Sequence, residues 1–142
     1  MAINESLLEI REYTEIGYRP LVDYGEWRVA ALNYIDELLP QNLQAMQRHE
    51  LTDEVFVLLA GRCILYLGQG DTAVEAIYAQ DLEPFKAYNV KRSVWHTHTL
   101  NEEARLLVIE NCDTSDANSP FIPLNAGQRQ RLAQLRDELW GK

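Results

Sequence analysis

The stretch His49-Glu50-Leu51-Thr52-Asp53-Glu54-Val55-Phe56-Val57-Leu58-Leu59-Ala60-Gly61 decides how the rest of the chain reads. A histidine and a carboxylate precede an apolar run rich in β-branched and aromatic residues, and a glycine closes it. That is a strand entered through polar side chains. Downstream, Val94-Trp95-His96-Thr97-His98 is a second strand-like segment, and all 3 histidines of the protein fall in these two places. Side chains alternate along a strand, so Gln47 and His49 share one face, and His96 and His98 share another. If both faces point into one barrel, Gln47, His49, Glu54, His96 and His98 converge. Neutral imidazole binds Zn, Mn, Fe, Ni or Cu, and a carboxylate favours the harder of these ions. Two or three histidines and one glutamate leave coordination positions open for a reactant.

Outward from this stretch, short strands follow at the spacing of an all-β sandwich or barrel. Val55–Leu59 reads as one strand and Cys63–Leu67 as its hairpin partner across Ala60-Gly61-Arg62. Ala73–Tyr78, Lys86–Val90, Val94–His98 and Arg105–Asn111 continue the series with no helix-period segment between them, which disfavours an α/β sheet. Upstream, Leu21–Tyr24 leads into a turn at Gly25-Glu26, Trp27–Tyr34 is a strand, and residues 35–45 form a connection with room for one helical turn. Asn4–Arg11 reads either as a short capped helix or as an edge strand. After the polar segment Asp113–Pro120, Asn125 caps a helix running to about Trp140 with Leu132, Leu135 and Leu139 on one stripe. The expected organisation is one domain: an N-terminal arm (1–20), a β-barrel (21–112), a polar loop (113–124) and a C-terminal α-helix (125–140).

A chain of 142 residues with 46% hydrophobic and 25% charged residues can bury the core of a single globular domain. Its net charge of −9 argues against nucleic acid and anionic membrane, which want a basic footprint. No apolar run approaches the ~20 residues of a membrane span, and no basic-then-apolar leader opens the sequence, so a cytoplasmic protein is expected. Cys63 and Cys112 each sit in an apolar strand-like run and read as thiols of a reducing compartment.

These residues resemble the motifs of the small single-domain cupins. The first cupin motif runs His-x-His, three or four residues, Glu, six residues, Gly. Here six residues separate Glu54 from Gly61 and four separate His49 from Glu54, while Gln47 replaces the first histidine. The second motif runs Pro-x-Gly-x-x-His-x-x-x-Asn. His96 fits its histidine, but Lys91, Ser93 and Leu100 stand at the proline, glycine and asparagine positions. The resemblance covers about residues 27–111. It implies a jelly-roll barrel (a double-stranded β-helix) with a divalent metal in its mouth held by His49, Glu54 and His96, with Gln47 or His98 as a fourth ligand. It also implies a homodimer. The Thr52–Phe56 and Val94–His96 wording is similar to the ureidoglycolate lyases within that family. Cupins host many activities, and fold does not choose among them.

Several candidates have two readings. His98 is either a ligand or proton carrier, or a hydrogen-bonded residue of the barrel mouth; Glu54, if not bound to metal, could move a proton. Lys91 and Arg92 either hold a substrate carboxylate or form a basic turn facing solvent. Tyr88 either lines the pocket or fills the core. Glu102, Glu103 and Glu110 read as solvated surface, and Asp113–Ser119 resembles a calcium loop in composition only. The expected function is metal-dependent lyase or isomerase chemistry on a small polar carboxylate or sugar derivative. The alternatives are a metal-free ligand-binding cupin and a ureidoglycolate lyase-like enzyme.

Overall fold

Ten strands and one helix account for the periodic segments of the sequence in the computed structural model, which describes residues 1–142. The strands are β1 (Tyr18–Tyr24), β2 (Trp27–Asn33), β3 (Ala45–Gln47), β4 (Glu54–Ala60), β5 (Cys63–Gln69), β6 (Ala76–Asp81), β7 (Tyr88–Val90), β8 (Trp95–Leu100), β9 (Arg105–Asn111) and β10 (Phe121–Pro123). Helix α1 spans Ala126–Trp140. They form two five-stranded antiparallel sheets, ordered β1-β2-β9-β4-β7 and β10-β3-β8-β5-β6. No helix is long and apolar enough to cross a membrane.

The two sheets enclose the interior of the barrel. Phe56 and Leu58 from β4, Leu106 and Val108 from β9, and Leu65 and Leu100 from the opposite sheet meet there in one buried cluster. A second cluster lies outside the second sheet, where Ile64, Tyr66 and Trp95 pack against Leu132 and Leu135 of α1. Strand β5 is therefore apolar at consecutive positions because both of its faces are covered. The Tyr66 hydroxyl donates to the Leu132 carbonyl at 3.1 Å, satisfying the one polar group buried at that contact. Asn125 caps α1 as its sequence predicts: its side chain accepts from the Gln128 N–H at 2.8 Å, and the Gln128 side chain accepts from the Asn125 N–H at 2.9 Å.

The expected hairpin of Val55–Leu59 with Cys63–Leu67 does not form. Strand β4 pairs with β7 and β9, and β5 pairs with β6 and β8, so Gly61 carries the chain from one sheet to the other. Gly61 holds a left-handed φ of +73°, and a Cβ there would sit 2.4 Å from the Ala104 backbone nitrogen. Only glycine fits this corner. Other boundaries differ as well: the strands expected at Ala73–Tyr78 and Lys86–Val90 run Ala76–Asp81 and Tyr88–Val90, and Ala45–Gln47, at the end of the expected connection, is a strand. The polar loop contains β10, because residues 121–123 add to the edge of β3. Strand β1 begins at Tyr18, inside the expected arm. Asn4–Arg11 is neither helix nor strand, holding only a turn around Asn4. Cys63 is buried in the barrel interior and Cys112 half-buried, and both thiols are free.

Candidate metal centre

Register places the site residues on the barrel's inner face. Gln47 pairs with His96, and His96 and His98 pair with Leu67 and Leu65, so these side chains share one surface of the second sheet. Glu54 opens β4 one turn of alternation before Phe56 and points inward from the facing sheet. His49 lies just past β3, in a segment held from two sides. The Ser93 N–H donates to the His49 carbonyl at 2.8 Å, and the N–H groups of Arg48 and Glu50 reach the carbonyls of Pro120 and Asn118, respectively, at 3.1 Å.

His49 Nε2 and His96 Nε2 both face Glu54 Oε2, His49 in direct contact and His96 at 3.6 Å. The ligand-capable atoms of the three residues lie within 4.8 Å of one another. All three residues are buried.

Hydrogen bonding fixes which atoms are bare. His96 Nδ1 lies 2.9 Å from the Val94 carbonyl, which only accepts, so Nδ1 carries the proton and Nε2 presents a lone pair. His49 Nδ1 lies 2.7 Å from Ser119 Oγ, whose own proton goes to Asn118 Oδ1 at 3.1 Å. Asn118 is oriented by the Ser115 N–H donating to its oxygen and by its own amide donating to the Asp113 carbonyl. Ser119 therefore accepts from His49, and His49 Nε2 is also bare. Two imidazole lone pairs and a carboxylate oxygen converge with no donor among them. Such a cluster calls for a cation or for protons on the imidazoles, and its N2O donor set suits a first-row divalent metal.

Burial opposes charge on Glu54, but protons on the facing His49 and His96 imidazoles, the metal-free way to supply the missing donors, outweigh it and hold the carboxyl down at about 2. Burial likewise opposes charge on His49, yet the facing Glu54 prevails and raises its pKa. His98 behaves in the opposite way: burial pushes its pKa down to about 4, and its Nδ1 is sealed without a partner. It stands beside the triad, with its ring 5.4 Å from that of Phe56. His98 is a neutral imidazole at neutral pH.

The triad sits where two adjoining chambers of about 410 Å³ each meet, with Gln47, His49, Glu54 and His98 lining both. Gln47 is committed elsewhere through its amide nitrogen, which donates to the Ser119 carbonyl at 3.0 Å and to Asp116 at 3.3 Å. Its position fits a strut that steadies the turn behind His49. Lys91 and Arg92 lie in the exposed turn between β7 and β8, outside both chambers. Asp53 holds that turn, accepting from the Arg92 N–H at 2.7 Å and the Asn89 amide at 3.0 Å. Asp53 points outward because its neighbour Glu54 points inward. Tyr88 packs against the interior cluster with its hydroxyl accepting from the Glu83 N–H at 3.0 Å, also away from the chambers.

Sequence reasoning missed one group. Glu110 is 7% exposed rather than solvated, and it faces the first chamber with Tyr18, whose hydroxyl donates to it at 2.5 Å. Burial and the nearby Glu54 raise the pKa of Glu110. Arg28, its partner across β2 and β9, lines the same chamber and is clamped by Asp23 at 2.8 and 3.2 Å. The continued alternation Leu106-x-Val108-x-Glu110 was the available signal that Glu110 points inward.

Two antiparallel sheets closed around an interior with polar side chains gathered at one mouth make this a cupin-type double-stranded β-helix. No protein-family profile matches the sequence, and no curated protein matches it. Among solved structures, Pac13, described as a unique nucleoside dehydratase, aligns over 80% of this chain and 85% of its own at 7% identity and a TM-score of 0.54. A tyrosine-to-phenylalanine variant of Streptomyces Pac13 with uridine aligns over 84% and 87% at 6% identity and a TM-score of 0.55. KdgF from a Halomonas species aligns over 81% and 94% at 12% identity and a TM-score of 0.51. At such identities the likeness speaks for the fold.

Proposed function

We propose that this chain is a metal-dependent cupin enzyme acting on a small polar metabolite by lyase or isomerase chemistry. The observation that carries the reading is the convergence of His49 Nε2, His96 Nε2 and Glu54 Oε2 with no donor among them, at the junction of two chambers. Zn, Mn, Fe or Ni fits that donor set. Such an ion, when bound, supplies a Lewis acid that polarises a carbonyl or hydroxyl oxygen. His98, which lines both chambers beside the triad, is the group we assign to exchange a proton with the bound metabolite. Pac13, described as a dehydratase, is an example of elimination chemistry on this fold.

Metal analysis of protein purified without a histidine tag, before and after incubation with each divalent ion, tests the proposal. One bound ion per chain is expected, lost in a His49→Ala/His96→Ala pair. No metal found and none taken up overturns it. The direct contact of His49 with Glu54 favours one second reading, in which a proton on the imidazole satisfies the carboxylate and the cavity is a metal-free binding site. In that case the double variant leaves ligand-induced thermal stabilisation intact. A ureidoglycolate lyase-like activity is tested by glyoxylate release, although Lys91 and Arg92, the expected carboxylate anchors, lie outside the chambers.

A further inference from the structure

Arg28 on β2 and Glu110 on β9 stand directly opposite each other in register, and both line the first chamber. Opposite charges so placed are close enough to pair, yet each is tied to a different partner. Arg28 gives Nε and Nη2 to Asp23 at 2.8 and 3.2 Å, which leaves Nη1 without a hydrogen bond. Glu110 takes the Tyr18 hydroxyl on Oε1 at 2.5 Å, which leaves Oε2 without a protein donor. Glu110 is nonetheless only 7% exposed. Polar groups in so buried a side chain ordinarily find partners, and leaving them unpaired is costly. The structure thus holds an open acceptor and an open donor on adjacent strands, both on the wall of one cavity.

The chemistry of that gap selects what fills it. The group must accept from Arg28 and donate to Glu110. A carboxylate only accepts, and it would meet Glu110 as a like charge. An ammonium only donates, and it would meet Arg28 as a like charge. A neutral hydroxyl does both. The rest of the chamber points the same way. Glu37, Glu54 and Asp116 join Glu110 along its wall, while Arg28 is its one lysine or arginine and is already neutralised by Asp23. A divalent ion at the triad offsets two of those carboxylates, so a field that repels anions remains. Thr114 and Ser115 add further hydroxyls to the lining. At about 410 Å³ the chamber has the size of a small-metabolite site.

We infer that Glu110 and Arg28 form a specificity subsite for a neutral polyhydroxylated metabolite, a sugar rather than a sugar acid or an amino sugar, held at one end while its reacting end meets the triad. Tyr18 positions the Glu110 carboxylate. The inference rests on the proposed function for the reacting end of the molecule, and on the chamber alone for its recognition.

Titration calorimetry of the full chain, metal-loaded and after chelator treatment, tests the subsite. The probes are the methyl pyranosides of glucose, galactose and mannose, each with the matching uronate and the matching amino sugar. At least one neutral glycoside is expected to bind at least tenfold more tightly than both of its charged counterparts. In Glu110→Gln that glycoside is expected to bind at least tenfold more weakly. Its preference over the uronate should also shrink, because the repelling charge is gone. A folding defect would abolish binding without reordering the probes, and circular dichroism identifies it. The wild-type ranking does not depend on the variant. No neutral glycoside bound in either state overturns the inference, as does a charged counterpart bound as tightly. A well-folded Glu110→Gln with unchanged affinity overturns it too. Failure to take up metal, with the sugar ranking intact, supports the subsite and overturns only the metal reading.

Discussion

Nε2 of His96 and Oε2 of Glu54 lie 3.6 Å apart while Nδ1 of His96 is held by the Val94 carbonyl, so two electron pairs face each other inside the barrel. His49 repeats the relationship from the other side, with Ser119 in the place of Val94. A divalent ion relieves the opposition for all three groups at once. Protonation of an imidazole relieves it in part, and this makes protons and metal competitors.

The first prediction is a pH-dependent metal effect. The His49 pKa is raised by Glu54, so acid fills the site with protons. At a hundredfold excess over Kd a bound ion stabilises by about 2.7 kcal/mol, roughly 5–10 °C in Tm for a chain of this size. Scanning calorimetry with Zn or Mn should show this gain at pH 8 and little of it at pH 5.

Glu54→Gln probes the metal-free pair. A carboxyl lowered to about 2 from 4.5 contributes stability that is present above pH 4.5 and lost as pH falls toward 2. A histidine raised above 6.5 contributes stability that is full below pH 6.5 and lost as pH rises through its folded value. Urea unfolding of apo protein should therefore show the largest difference between wild type and Glu54→Gln between pH 4.5 and 6.5, shrinking on both sides. A difference independent of pH contradicts the pairing.

Ser119→Ala removes the acceptor that fixes the His49 ring. Groups that orient metal ligands this way are worth about 10–100-fold in affinity, and an unmade buried hydrogen bond costs about 1–3 kcal/mol. Chelator competition is expected to show at least tenfold weaker metal binding, with Ser119→Thr closer to wild type.

Leu132→Ala separates fold from site. Leu132 is fully buried on the inner side of α1, which packs on the face of the second sheet opposite the triad. The cavity should cost about 2–5 kcal/mol, with metal affinity within twofold of wild type.

Ser93→Gly tests the departure from the second cupin motif. Ser93 adopts a left-handed φ of 65° in the turn that donates to the His49 carbonyl. A non-glycine residue there costs roughly 1–2 kcal/mol, and glycine's extra unfolded-state entropy offsets about 0.4–1 kcal/mol of it. A net stabilisation of about 0.5–1 kcal/mol is expected in urea unfolding.

The motif departures divide in an informative way. Ser93, at the motif's glycine position, adopts a left-handed φ of 65°, the backbone region that favours glycine. Gln47 keeps the inward position of the missing histidine, and its amide nitrogen braces the Asp116–Ser119 turn. Tyr18 and Glu110 stand 92 residues apart and meet only because β1 and β9 flank β2. No local spacing announces such a contact.

By itself the sequence determined most of the long strands, the capped C-terminal helix and the candidates His49, Glu54 and His96, because alternation, capping and motif spacing are local properties of the chain. The short strands β3 and β10 carry too few residues to show alternation. Tertiary structure alone decided that β4 and β5 part into different sheets at Gly61, that Ser119 orients His49, and that Glu110 is buried beside Tyr18. Alternation gives each side chain one of two faces. Which face is the interior, and which distant strand lies across it, is fixed by non-local pairing and by the burial that pairing makes possible.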